Sequence, residues 1–222
     1  MRSFDEIRDI AITRKGGEDA INENLTPPKT VAELEAIAND RWLACMTKCI
    51  FQAGFNWKVV ESMWPGFEAA FDKFDTGRCA MLNDDDFDQL VSDKRIVRYG
   101  AKIRAVQENA VFLNTLIKEH GSAGAFFAGW PSNDYANLLL TLKKRGTRLG
   151  GNTGQYFLRF MGVDSFILSR DVTARLIAEG IVDKTPTSQK DMQAVQNAFN
   201  IWQQQSSRPL TEISRVLAMS IG

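Results

Sequence analysis

Lys143-Lys144-Arg145-Gly146-Thr147-Arg148-Leu149-Gly150-Gly151-Asn152-Thr153-Gly154 decides how this chain folds. The stretch reads as the end of one helix, a basic glycine-rich hairpin and the start of a second helix. Glycine lets a backbone approach a ligand closely, and a helix N-terminus offers unpaired N–H groups to an anion. The flanking cations add attraction to phosphate. The same residues also read as a plain helical hairpin with a solvated basic rim, because glycine-rich turns are common.

Helical signals extend outward from the hairpin in both directions. Thr30-Val31-Ala32-Glu33 is a capping box, with a threonine hydroxyl and a glutamate carboxylate satisfying the first backbone donors. Trp42, Leu43, Met46 and Ile50 recur at helical spacing, and Ile103, Val106, Ala110, Leu113 and Ile117 line one face of a long helix over 101–118. Gly121 ends that helix. Further helices are expected over 134–144, 153–161, 188–205 and 209–221. No strand alternates convincingly and no long repeat recurs. The fold class is therefore all-α, in two helical lobes with a helix-hairpin-helix motif. The Thr26-Pro27-Pro28-Lys29 linker separates a helical extension over 1–29 from a domain over 30–222.

Seventeen residues after Gly154 lies Asp171, within Ser169-Arg170-Asp171-Val172-Thr173. Ser169 is a helix cap, so Asp171 falls in a first helical turn. An acid there gains ~0.3–1 kcal/mol from the helix dipole, which is a sufficient structural reason for it. A carboxylate beyond a phosphate-binding hairpin is equally placed for chemistry.

Composition narrows the classes. Lys plus Arg and Asp plus Glu are each 27, so the net charge is zero, and contact with nucleic acid must come from a local patch. The start lacks the apolar core of a signal peptide, and no apolar run approaches membrane-spanning length. A cytoplasmic protein without membrane contact is expected. The three cysteines, Cys45, Cys49 and Cys79, are expected to be reduced. With one histidine, His120, they do not make a credible tetrahedral zinc site, so no metal is expected.

The middle of the chain resembles the DNA-3-methyladenine glycosylase I family. The resemblance is carried by Gln52-Ala53-Gly54-Phe55-Asn56-Trp57, Phe67-Glu68-Ala69-Ala70-Phe71-Asp72-Lys73-Phe74-Asp75, Ile96-Val97-Arg98-Tyr99-Gly100-Ala101-Lys102-Ile103-Arg104, Asn109-Ala110 and Leu142-Lys143-Lys144-Arg145-Gly146. These segments follow family order over roughly residues 40 to 165. The hairpin and Asp171 are similar to the wider helix-hairpin-helix glycosylase superfamily. The chain departs from the family in lacking its zinc-binding cysteines and histidines and its N-terminal Tyr/His/Trp signature. The family's base-recognising acid falls at Cys49. Typical members in turn lack the superfamily aspartate, whose place Asp171 can fill.

The resemblance implies a DNA repair enzyme that flips a damaged, alkylated purine from duplex DNA and hydrolyses its N-glycosidic bond. Asp171 would be the catalytic carboxylate. Trp57, Gln52, Phe55, Cys49 and Trp42 would form the base pocket, although core packing is the plainer role for Trp42 and Phe55. Lys144, Arg145, Arg148, Gly151, Thr153 and Gly154 would hold the DNA. Bifunctional relatives carry a lysine just after the hairpin, where Gln155 and Tyr156 stand here, so a monofunctional enzyme is expected. It would act as a monomer without a cofactor, with a monovalent cation at the hairpin as the one expected addition. The contrasting expectations are a non-catalytic lesion-sensing module and a protein-interaction domain.

Overall fold

A computed structural model describes residues 1–221. In chain order its α-helices are α1 (Phe4–Lys15), α2 (Glu18–Asn22), α3 (Val31–Glu35), α4 (Asn39–Gln52), α5 (Trp57–Ser62), α6 (Trp64–Ala70), α7 (Thr76–Ala80) and α8 (Asp84–Ser92). They continue as α9 (Gly100–His120), α10 (Ala123–Ala128), α11 (Tyr135–Arg145), α12 (Asn152–Met161), α13 (Arg170–Ala178), α14 (Gln189–Ser206) and α15 (Leu210–Met219). No described residue is in a strand, so the all-α expectation holds. The Thr30 capping box forms as read: Glu33 N donates to Thr30 Oγ1, and Thr30 N donates to Glu33 Oε2.

The chain divides into two compact units. One comprises Thr30–Gly129 and Leu139–Met161. Its centre is α4, whose Trp42, Leu43, Met46, Ile50 and Phe51 are buried. Both α9 and α12 pack on α4. Beside it, Trp64, Phe67, Phe71 and Phe74 form an aromatic stack with centroid separations of 5.3 to 6.4 Å. Burying each such ring contributes ~1.5–3 kcal/mol. That offsets a strained corner in which Asp72, Lys73 and Phe74 all take positive φ.

The other unit comprises Met1–Lys29, Trp130–Leu138 and Gly162 onward. The segment 1–29, read from sequence as an extension, is built into this unit. Its helix α1 buries Phe4, Ile7 and Ala11 and packs against α14 and α15. Tyr135, Phe166, Phe199 and Trp202 form a chain of ring contacts through this core. The helix carrying Asp171, α13, packs on α15.

Candidate functional site

The hairpin joins α11 to α12 and is held from beneath by one buried residue. Asn109 of α9 donates Nδ2 to the Thr147 carbonyl at 3.0 Å and accepts the Thr147 N–H on Oδ1 at 2.9 Å. Its amide thus substitutes for a backbone pair, and Leu149 plugs the turn into the core. Arg148 and Gly151 take left-handed φ of 60° and 59°. A Cβ on Gly154 would collide with the Leu149 carbonyl oxygen, so only glycine lets α12 start this close to the turn. Gly151 and Asn152 are exposed, whereas Gly154 is buried. The first amides of α12 have no intrahelical acceptor.

The basic residues differ in freedom. Lys144 is exposed. Arg145 forms an ion pair with Glu119 at 3.1 Å and lies over the Phe112 ring. Arg148 donates Nε to the Ala101 carbonyl at 3.3 Å and lies over Tyr99.

The second feature is the turn from α4 into α5. Gln52 ends α4, Gly54 turns the chain with φ 68°, and Asn56 caps α5 by accepting the Lys58 N–H at 2.9 Å. Lys102 of α9 fixes this turn by donating Nζ to the carbonyls of Phe51 and Ala53 at 3.1 and 2.7 Å. Burial, with Arg148 nearby, holds the Lys102 ammonium below the usual lysine range. Trp57 is thereby presented 43% exposed, edge-on to Tyr156 and Phe160 of α12 at 5.7 and 6.1 Å.

Two cavities share Gln52 and Trp57 as a common wall. The larger, about 330 Å³, is lined also by Arg41, Ala44, Cys45, Lys48, Glu61, Trp64 and Phe160. The smaller, about 200 Å³, is completed by Cys49, Ala53, Gly54, Asn152, Thr153 and Tyr156. Gln52 is only 3% exposed, and its Oε1 accepts no hydrogen bond within the protein. Leaving a buried amide oxygen unpaired costs ~1–3 kcal/mol, and Trp42 Nε1 and Thr47 Oγ1 of the same helix share that state. The charges of the larger cavity are already paired. Arg41 forks onto Glu68 at 2.8 and 3.0 Å, and Lys48 meets Glu61 at 3.4 Å. The Cys45 thiol is kept protonated by its hydrogen bond with Cys49 and by burial.

The structure therefore brings Cys49, Gln52 and Trp57 together. Phe55 stands exposed on the turn and lines neither cavity. Trp42 lies in the core, stacked on Phe127 at 4.6 Å and edge-on to Phe157 at 5.9 Å, and it too lines neither cavity. The physical reason is position along the helix: Trp42 stands about two turns before Cys49 on nearly the same face of α4, where Phe127 and Phe157 close over its ring. Asp171 sits in the first turn of α13 behind Ser169, whose Oγ accepts the Val172 N–H at 3.2 Å. Its half-buried carboxylate takes no hydrogen bond or ion pair from the described residues. Tyr156, Asn152 and Lys102 were not singled out as site residues from sequence. The available signal was the Tyr156 and Phe160 pair at i, i+4, which puts two rings on one face of α12. Among the described residues, no three His, Cys, Asp or Glu side chains cluster as metal ligands. No described helix is long and apolar enough to cross a membrane.

The family model for methyladenine glycosylase matches residues 38–144, the span holding α4, the Trp57 turn, α9 and the first helix of the hairpin motif. That segment is similar to the methyladenine glycosylases. It is 36% identical to Escherichia coli DNA-3-methyladenine glycosylase 1 over 59 residues, 27% of this chain. That stretch spans about a third, 32%, of the E. coli glycosylase. The solved 3-methyladenine DNA glycosylase I of Staphylococcus aureus superposes with a TM-score of 0.53 at 21% identity, over 69% of this chain and 92% of that one. The 8-oxoguanine DNA glycosylase of Methanocaldococcus jannaschii gives 0.57 at 16% identity, over 94% and 90%. These likenesses are of fold alone, and both folds agree with the all-α expectation. The methyladenine glycosylase match contains the wall residues Cys49, Gln52 and Trp57.

Proposed function

We propose that the protein is a monofunctional DNA glycosylase that flips a damaged purine out of the duplex and hydrolyses its N-glycosidic bond. The observation that carries this is the buried, unpartnered Gln52 amide beside the half-exposed Trp57 ring, on a cavity whose floor reaches the start of α12. An extruded base needs a flat face to stack on and a hydrogen-bond partner for its edge. Trp57 and Gln52 are one of each. Phe55, exposed on the adjoining turn, is suited to stack against the bases left behind. The resemblance points to alkylated purines as the lesion.

DNA is held at the hairpin. The first amides of α12, the exposed Gly151 and the half-buried Thr153 face a phosphate, with Lys144 as the freest cation and Arg145 and Arg148 in support. The turn does not single out a place for a monovalent cation. The Leu142 carbonyl accepts the Gly146 N–H and the Thr147 carbonyl accepts Asn109, and no step of the reaction is routed through such an ion.

Asp171 supports the reaction electrostatically. As the glycosidic bond lengthens, positive charge grows on the sugar, and an unpaired carboxylate stabilises it and orients water. Gln155 and Tyr156 offer no amine for a covalent intermediate, so an abasic site is the product. The protein works as a cytoplasmic monomer on double-stranded DNA.

Single-turnover release of free base from duplexes carrying alkylated, deaminated and oxidised purines tests the proposal. Release from at least one, with an intact abasic strand left behind, is expected. Lesion binding without release would make the protein a non-catalytic sensor.

A further inference from the structure

The charge inventory of the two cavities narrows the substrate. In the smaller one, Cys49, Gln52, Trp57, Asn152, Thr153 and Tyr156 supply the polar groups of the side chains, and none is a carboxylate or a cation. In the larger one the only carboxylate is Glu61, which faces Lys48 at 3.4 Å and is well exposed. Asn152 and Thr153 also open α12, a ten-residue helix whose N-terminal end carries partial positive charge. A cationic base entering this slot would lose its water, meet no carboxylate on the cavity wall and face the positive end of a helix. The attraction of the Trp57 face is small beside that cost.

The Gln52 amide says what is welcome instead. Its oxygen is buried and unpartnered, and its side chain borders both cavities. A carboxamide accepts through its oxygen and donates through its nitrogen in one plane. Its complement is a ring N–H beside a carbonyl. We propose that the smaller cavity reads an uncharged oxo-purine lesion through Gln52, in preference to a cationic alkylated base. This rests on the glycosylase reading and specifies its lesion.

The chemistry agrees. The bond from the sugar carbon to the base nitrogen breaks, and its electron pair leaves with the base. Water supplies the oxygen on the sugar carbon, and a proton from that water ends on the base. A neutral base departs with negative charge, which the α12 N-terminus and the Asn152, Thr153 and Tyr156 donors stabilise. Intact guanine shares the lactam edge but is kept in the stack by pairing with cytosine.

The test compares single-turnover release by the full chain from duplexes containing hypoxanthine opposite thymine, 8-oxoguanine, 3-methyladenine or 7-methylguanine. Each rate is divided by its spontaneous rate. At least one neutral lesion is expected to be accelerated about tenfold or more beyond both cationic ones, as a hydrogen-bonding site allows. Gln52→Glu keeps the shape and adds a carboxylate, and it should shift that ratio toward the cations by a similar factor without lowering the melting temperature. Equal or greater acceleration of the cationic bases by the parent overturns the proposal, as does a folded Gln52→Glu with an unchanged ratio. If Gln52→Glu does not fold, the parent ratio alone decides. Release of a cationic base alone leaves the glycosylase reading standing, whereas release from no duplex ends both.

Discussion

At the residue scale, two side chains carry the proposed reaction and each has a distinguishing substitution. Trp57 is half exposed on a turn fixed by Lys102, so part of its ring is open to a ligand. Trp57→Ala should lower single-turnover release of the best lesion by about ten- to a hundredfold, the scale of one base–aromatic stack, while binding to undamaged duplex changes little. An equal loss in both would return the ring to a packing role. For Asp171, the half-buried carboxylate takes no partner among the described residues, which leaves it open to the reaction as well as to the helix dipole. Asp171→Asn keeps the shape and the Ser169 cap. Excision should fall by about 10²–10³, the scale of one misplaced charge in a transition state, with duplex binding and melting temperature retained. The loss should be smaller on bases that are already cationic, whose glycosidic bonds need less help. Parent-like rates on every lesion would leave Asp171 as a helix-start acid.

At the scale of the element, the hairpin is a preformed turn held by Asn109 rather than by its own sequence. Asn109→Ala removes both partners of Thr147 and should cost about 1–3 kcal/mol of stability, read as a shift in the denaturant midpoint. Duplex affinity should fall with it, although Asn109 is fully buried and touches no DNA. The cations of the hairpin are unequal. Lys144→Ala should flatten the salt dependence of duplex binding by about one unit of slope, and Arg145→Ala by less, since Glu119 already holds part of that charge. Unchanged affinity and slope in both variants would make the patch a solvated face.

At the scale of the whole chain, the unit that contains Asp171 is tied by a buried network. Arg175 donates Nε and Nη2 to Ser220 Oγ and the Ser220 carbonyl, both at 2.8 Å, and meets Glu179 at 3.2 Å. Glu179 also accepts the Arg2 backbone N–H and guanidinium, each at 2.8 Å. Burial alone would raise the Glu179 carboxyl, but the bonds from Arg2 and Arg175 outweigh it and hold it below the usual glutamate range. A carboxyl lowered in the folded state adds stability above its unfolded value, and that stability is lost as pH falls through the folded one. Melting temperature should therefore drop as pH goes below about 4.3, and Glu179→Gln should be less stable at neutral pH with a weaker acid dependence. A variant whose acid dependence matches the parent would remove Glu179 from this role.

Sequence alone determined the long helices but not the short ones from α5 to α8, because caps such as Thr30 with Glu33 and apolar spacing such as Ile103, Val106 and Ala110 are local and need several turns to show. It also marked the hairpin, since Gly154 meets a steric demand visible in the glycine pattern. What only the tertiary structure decided is which of the marked aromatic and polar residues meet. Trp42 and Cys49 lie on nearly the same face of α4 about two turns apart, yet Phe127 and Phe157 close over one while the other reaches a cavity wall. Gln52 and Trp57 reach Asn152, Thr153 and Tyr156 about a hundred residues later, because α12 packs on α4. Periodicity shows that a helix has a buried face, but the partner that buries it is chosen by packing, and the unpaired oxygen of Gln52 exists only once that packing is complete.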